Sequence, residues 1–213
     1  MIIAGPKRED KQLLLFDLGP KLITSLGAVR WEVGEYFEDL TAQHTGAVRL
    51  KTDSRCDVCP DLGISDTRYL EVKGMGKSGR VILYRGRVEK YTRFVSQGNE
   101  LTYFIWHHVY RSTGATDVRQ LRAGLCQSLR DLFILSHSAL VKAIGDIEPK
   151  LLNTATNKDG SRCGWGQAGK GYGIGWTLSK AQLLEVCQVQ NVAYSGIQLH
   201  ADTQKVFELL PCV

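Results

Sequence analysis

Asp61, Glu71 and Lys73 are two carboxylates and one lysine that lie close together in the sequence. The offset of ten residues between Asp61 and Glu71 is even. On paired strands joined by a loop of odd length, both side chains would therefore point to one face of a sheet, and Lys73 would join them there. Mg²⁺ binds one or two carboxylates together with waters and phosphate oxygens, and a neighbouring lysine can offset negative charge. The three residues predict metal-dependent hydrolysis of a phosphodiester bond.

The glycines that follow Lys73 match three other motifs, and each of these motifs fails on its context. Residues 74–79, GMGKSG, satisfy the dinucleotide fingerprint, but that motif opens a helix and this one is followed by a strand-like apolar run. A P-loop needs a glycine five residues before Gly76, where Glu71 stands. A kinase glycine-rich loop needs downstream H-R-D and D-F-G motifs, which the sequence lacks.

The first half of the chain predicts the order helix, three strands, helix, strand. Apolar residues recur every three or four positions in the helical segments, and the strand segments are rich in β-branched and aromatic residues. The predicted helices span residues 22–44 and 87–97, and the predicted strands span residues 47–52, 59–64, 68–73 and 101–109, with a further short apolar run at residues 81–84.

The second half predicts a mainly helical and loop-rich region. Residues 118–144 have leucines at helical spacing, and residues 157–175 are rich in glycine and basic residues, which is typical of a loop. A short helix from about Ser179 and one or two final strands would close the chain. The expected fold class is α/β or α+β, with the sheet in the first half.

Composition argues against a disordered protein and against a membrane protein. The chain has 213 residues and a net charge of +5, which permits an anionic partner, and its apolar and charged fractions are ordinary for a globular domain. The absence of a secretory signal or an apolar span predicts no membrane association. Together with six cysteines, which are most simply reduced thiols, it predicts a cytoplasmic protein.

The segment PDLGISDTRYLEVKG, residues 60–74, resembles the active-site hairpin of the PD-(D/E)XK nuclease superfamily, which includes restriction endonucleases and Holliday-junction resolvases. It is especially similar to the hairpin of phage junction-resolving endonucleases. The resemblance covers residues 22–109 and implies a restriction-endonuclease-like core, α-β-β-β-α-β, with a mixed central sheet. It also implies a Mg²⁺-dependent enzyme, with Mn²⁺ as a substitute, in which Asp61 and Glu71 bind the metal and Lys73 is catalytic.

Two assignments within this resemblance have competitors. Asp57 has the same strand parity as Asp61 and competes as the first metal ligand. The superfamily often places a glutamate on the first helix near the metal, and Glu38 is similar to that pattern. Glu35, one turn away on the same side, competes with Glu38.

Basic residues are concentrated directly after the hairpin. Phosphate neutralisation by lysine and arginine supplies most nonspecific affinity for nucleic acids, so this run predicts contact with DNA. The loop at residues 157–175, which mixes basic and aromatic residues, fits either a groove-binding element or a plain surface loop. The predicted DNA contacts are Lys77, Arg80, Arg87, Lys90 and Arg93.

These observations predict a Mg²⁺-dependent DNA endonuclease with a nuclease core at residues 1–110. Residues 111–213 would form an extension for target recognition or dimerisation, packed on the core as one domain. Such an extension favours a restriction-type enzyme over a structure-specific junction-resolving or repair nuclease. A homodimer is expected, because cutting two strands calls for two sites. The alternative from another class is a nucleic-acid-binding protein that has the same fold without catalysis.

Overall fold

The computed structural model describes residues 26–50, 59–110, 117–152, 174–194 and 196–202, and within them the protein is α+β. The elements of the first half follow the order expected from the sequence, with β4 in addition. They are α1 (Leu26–Thr45), β1 (Val48–Arg49), β2 (Leu62–Gly63), β3 (Arg68–Met75), β4 (Arg80–Tyr84), α2 (Arg85–Ser96) and β5 (Glu100–His108).

The second half contains more strand than the sequence predicted. Side-chain caps begin the three helices of its described residues: Asp117, Ser136 and Ser179 each accept a hydrogen bond from a backbone N–H of the first helical turn. The elements are α3 (Val118–Ser128), β6 (Leu129–Ser136), α4 (His137–Ile144), β7 (Lys150–Leu151), β8 (Ile174–Ser179), α5 (Lys180–Val186), β9 (Gln188–Tyr194) and β10 (Ile197–Ala201).

The strands form one mixed sheet and one small antiparallel sheet. The larger sheet has the order β1-β2-β3-β5-β6-β10-β9, and the smaller has the order β4-β8-β7. In the larger sheet β3 runs parallel to β5 and β10 runs parallel to β6, whereas the other pairs are antiparallel. The expectation of an α+β fold with a mixed sheet is confirmed.

The prediction of one helical region over residues 118–144 is wrong, and so is the placement of the whole sheet in the first half. Residues 129–136 form β6, which lies between β5 and β10. Both faces of β6 are covered, so its sequence is a nearly continuous apolar run. A short buried strand of this kind cannot be distinguished from a buried helix by periodicity. The extension is therefore not a helical appendage, because it supplies three strands to the main sheet.

Two apolar layers cover the two faces of the main sheet. On one face, α1 and α3 pack with Phe37, Leu40 and Leu121 against the sheet. On the other face, α2, α4, α5 and the small sheet enclose a second cluster that includes Tyr91 and Leu178. Along β3, Leu70 and Val72 face the first layer, so the alternate residues of this strand face the second layer.

A buried polar cluster joins four elements at the centre of the main sheet. The Asp131 carboxylate on β6 lies 2.7 Å from His107 Nδ1, 2.9 Å from His200 Nε2 and 2.7 Å from Lys180 Nζ. Burial alone would raise the pKa of Asp131, but hydrogen bonds from His107, Lys180 and His200 hold this pKa at about 2. The cluster ties α5, and with it the end of β8, to the main sheet.

Candidate active site

The β2–β3 hairpin brings Asp61 and Glu71 together as their even spacing predicted. Leu62 pairs with Leu70 in the antiparallel register, and one further step in that register puts Asp61 opposite Glu71. Lys73 follows on the same side of β3, because side chains alternate along a strand. Asp61 itself directly precedes β2 rather than lying within a strand.

Direct contacts hold these three side chains. Lys73 Nζ donates hydrogen bonds to Glu71 Oε1 and, at 3.0 Å, to the carbonyl of Val72, and it lies 3.8 Å from Asp61 Oδ2. The backbone N–H of Val72 donates to Asp61 Oδ2 at 2.7 Å. Strand β3 therefore fixes Asp61 through the backbone N–H of Val72 and fixes Lys73 through the side chain of Glu71.

Helix α2 adds two side chains, Arg87 and Tyr91, that lie four residues apart on one side of the helix. The Tyr91 hydroxyl donates to Glu71 Oε2 and accepts from Arg87 Nε at 3.0 Å. Arg87 Nη2 donates to the carbonyl of Cys59 at 3.1 Å, and Arg87 Nε lies 3.5 Å from Glu71 Oε1. The sequence predicted Arg87 as a DNA contact and did not predict Tyr91. The spacing Arg-x-x-x-Tyr places both side chains on one side of a helix, but it does not specify which strand that side faces.

The charges of Lys73 and Glu71 stabilise one another. Burial alone would raise the pKa of Glu71, whose side chain is 0 % exposed, but Lys73 and Arg87 hold this pKa below its usual range. Burial alone would lower the pKa of Lys73, but Glu71 and Asp61 raise it above its ordinary value. Burial and then Glu71 raise the pKa of Tyr91 far above its usual value. Near neutral pH, Glu71 is thus ionised, Lys73 is a cation and the Tyr91 hydroxyl is a donor.

Asp61 and Glu38 are carboxylates whose environment disfavours their charge. Burial, followed by the charge of Glu71, raises the pKa of Asp61 to about 6. Burial, followed by the charge of Asp61, raises the pKa of Glu38 to about 7. Three acids thus interact at the end of the hairpin, and a bound divalent cation would relieve their repulsion.

Arg49 binds Glu35 more closely than it binds Glu38. Arg49 Nη1 pairs with the Glu35 carboxylate, and Arg49 Nη2 donates to the Glu35 carbonyl at 2.8 Å. The Arg49–Glu38 pair is longer, at 3.6 Å. Glu35 is therefore engaged by Arg49, whereas Glu38 interacts electrostatically with Asp61. The other competitor, Asp57, lies outside the described residues.

The pair of carboxylates fits a magnesium ion. Among the described residues, no three or more His, Cys, Asp and Glu side chains are grouped as a metal site, which leaves Asp61 and Glu71 as a candidate pair. Mg²⁺ needs only one or two carboxylates, because it keeps several waters and binds substrate phosphate oxygens. Asp61 and Glu71 meet that requirement in number, and the ligand role of all three acids, Glu38 included, stays a prediction.

The other four predicted DNA contacts are distributed over the turn after β3, the start of β4 and helix α2. Lys77 is exposed in the turn between β3 and β4, where Gly79 has a φ of 61°, and Arg80 is exposed at the start of β4. Lys90 lies one turn after Arg87 on the same side of α2, whereas the exposed Arg93 lies on another side. Residues 157–173 of the basic loop lie outside the described part of the chain.

No family model, curated protein or solved structure matches this chain. The nuclease resemblance therefore remains a prediction that rests on the hairpin residues. In the part of the chain that the structure describes, no helix is both long enough and apolar enough to cross a membrane.

Proposed function

We propose that the protein is a Mg²⁺-dependent DNA endonuclease with a restriction-endonuclease-like core of the PD-(D/E)XK type. The observation that carries this proposal is the convergence of Asp61, directly before β2, with Glu71 and Lys73 on β3: Lys73 Nζ lies within 4 Å of both carboxylates. Glu71 has no exposed surface. Burying a carboxylate costs free energy even when cations and a phenol surround it, and such groups are concentrated at functional sites.

Asp61 and Glu71 would hold the metal, and Lys73 would act beside it. Bound Mg²⁺ lowers the pKa of a coordinated water and stabilises charge on a phosphate. Because its pKa is raised, Lys73 acts as a cation that orients water and offsets phosphate charge, and not as a neutral base. Arg87 and Tyr91 keep Glu71 in place from the side of α2.

The proposed enzyme is of restriction type and acts as a homodimer on DNA, with Lys77, Arg80, Lys90 and Arg93 as phosphate contacts. The strands that the second half contributes give a rigid support for target recognition. A junction-resolving or repair nuclease is the alternative within the same chemistry. A catalytically silent nucleic-acid-binding protein is the alternative outside this chemistry. The presence of Asp61, Glu71 and Lys73 together argues against that alternative.

A plasmid-nicking assay tests the function. The wild type should convert supercoiled plasmid to nicked or linear DNA with Mg²⁺ or Mn²⁺ and should lose this activity in EDTA. Lys73→Met, which keeps the length of the side chain and removes its charge, should abolish cleavage and retain DNA binding. Lys142→Met, at an exposed lysine on α4, is the matched control and should cleave as the wild type does. Cleavage by Lys73→Met at the wild-type rate would remove Lys73 from the mechanism.

A further inference from the structure

Strand β3 and helix α2 both carry side chains of the candidate site, and each also carries one ring of a neighbouring aromatic pair. Along β3, Tyr69 lies on the same side as Glu71, two residues before it. Along α2, Phe94 lies one turn after Tyr91 on the side that faces the site. The rings of Tyr69 and Phe94 contact each other edge to face, with centroids 5.0 Å apart and an angle of 68° between their planes. The aromatic pair therefore adjoins the buried side chains of Glu71 and Tyr91, and Lys73 and Arg87 are the partly exposed cations of the site.

The aromatic pair is only partly buried. Tyr69 and Phe94 are both half-buried, and among the described residues Phe94 belongs to neither of the two apolar clusters. The Tyr69 hydroxyl donates to the carbonyl of Asp66 at 2.6 Å, which fixes the ring against the turn of the hairpin. Phe94 thus rests on an anchored ring at the surface instead of filling the core.

The aromatic pair lies two residues along β3 and one helical turn along α2 from the candidate site. Two residues of extended strand separate Tyr69 from Glu71 by about 7 Å, and one helical turn separates Phe94 from Tyr91 by about 5 Å. Lys90, four residues before Phe94 on the same side of α2, adds a positive charge between the aromatic end and Arg87. Aromatic rings beside a basic groove are the arrangement that binds single-stranded nucleic acid, because every base has a face that can stack.

We propose that Tyr69 and Phe94 form a subsite for an unpaired nucleobase next to the phosphate that the carboxylate site would hold. The inference rests on the proposed function for the phosphate position. It narrows the substrate to nucleic acid with at least one base outside the duplex stack: a flipped nucleotide for the restriction-type enzyme, or a flap or junction arm for the junction-resolving or repair alternative.

Two single-stranded probes of equal length test the subsite: oligothymidylate, and the same sugar–phosphate chain without bases. Their affinities are measured by fluorescence anisotropy in EDTA, so that cleavage does not interfere. The wild type should bind oligothymidylate more tightly than the abasic chain, by about 5- to 150-fold for one stacked base. Phe94→Leu should lower this ratio, and the double variant Tyr69→Leu, Phe94→Leu should bring it close to one.

Matched variants separate stacking from general damage. Tyr69→Phe keeps the ring and should keep the ratio, and Trp31→Leu removes an aromatic side chain that is 64 % exposed on α1, in the layer on the opposite face of the main sheet, and should also keep it. Thermal unfolding of each variant verifies the fold, and the single Phe94→Leu variant decides the matter if the double variant is unfolded. An equal affinity of the wild type for both probes, or a ratio that Phe94→Leu leaves unchanged, would overturn the proposal.

Plasmid cleavage measured in parallel distinguishes the two proposals. If the wild type cleaves DNA and binds both probes equally, the subsite is wrong and the nuclease function stands. If the ratio falls as expected in Phe94→Leu but the wild type cleaves neither plasmid nor a duplex with a single-stranded flap in Mg²⁺, the base subsite stands and the catalytic proposal is wrong.

Discussion

Removing the Tyr91 hydroxyl should weaken both the fold and the candidate site, because this hydroxyl satisfies one oxygen of a fully buried carboxylate. The Tyr91 ring is 1 % exposed, so Tyr91→Phe preserves the packing and deletes the hydrogen bond to Glu71 Oε2. It also leaves Arg87 Nε without the acceptor that lies 3.0 Å away. Hydrogen bonds to charged groups contribute roughly 1.5–3 kcal/mol. We expect the free energy of unfolding to fall by about 2 kcal/mol, which lowers Tm by about 4–8 °C for a chain of this size.

The structure supplies a matched control in Tyr103→Phe. Tyr103 is equally buried in the same apolar cluster, and its hydroxyl lies 3.2 Å from His137 Nδ1. Its partner is not a carboxylate, so we expect a loss of about 1 kcal/mol. Urea denaturation of both variants measures the difference, since the two changes remove the same atom from the same kind of site.

Plasmid cleavage over a range of Mg²⁺ concentrations gives the second measurement on Tyr91→Phe. Residues that orient a metal ligand typically change metal affinity or activity by about 10- to 100-fold when they are replaced. The variant should therefore need more Mg²⁺, while Tyr103→Phe should follow the wild-type curve. A Tyr91→Phe protein that is as stable as the wild type and has the same Mg²⁺ dependence would refute the role of Tyr91 in positioning Glu71.

Three further predictions concern the first metal ligand, the basic surface and acid stability. Asp61→Asn should eliminate Mg²⁺-dependent plasmid cleavage and Asp57→Asn should retain it; the reverse result would transfer the ligand role to Asp57. Arg80→Ala combined with Arg93→Ala should flatten the plot of log affinity against log salt by roughly 0.9 for each duplex phosphate that the protein no longer neutralises, and an unchanged slope would exclude both arginines from phosphate binding. Asp131 has a pKa of about 2 in the folded protein and about 3.9 in an unfolded chain, so its contribution is present above pH 4 and is lost as the pH falls towards 2. Asp131→Asn should remove about 2 kcal/mol of pH-dependent stability from that window, measured by urea denaturation, whereas an unchanged pH profile would contradict the pairing.

The hairpin could be predicted from the sequence because its geometry is local. Asp61 and Glu71 are separated by one turn, so side-chain alternation alone determines that they share a face, and Lys73 follows from the same rule. Tyr91 and Arg87 could not be found in this way. They come from α2, and their approach to Glu71 depends on how that helix crosses β3, which alternation within one strand does not specify.

Strand β6 marks the corresponding limit for the fold. In strands with one exposed face, such as β4, buried and exposed residues alternate. In contrast, β6 is apolar on both sides because helices cover both faces of the sheet. Leu132 and Phe133 then fit a helical pattern as well as an extended one. Only the pairing of β6 with β5 and β10 selects the strand, and those partners are remote in sequence.

The pairing of β4 with β8 has a consequence for the synthesis of the protein on the ribosome. Val81 pairs with Leu178, so β4 waits for a partner that is synthesised about 100 residues later, which takes roughly 5–20 s at ordinary translation rates. Throughout that interval the nascent chain exposes an unpaired strand edge directly before α2, the helix whose Arg87 and Tyr91 contact Glu71. Such an edge invites pairing with another chain, so crowded polysomes and fast expression should favour aggregation, and slower synthesis should favour recovery of the folded protein.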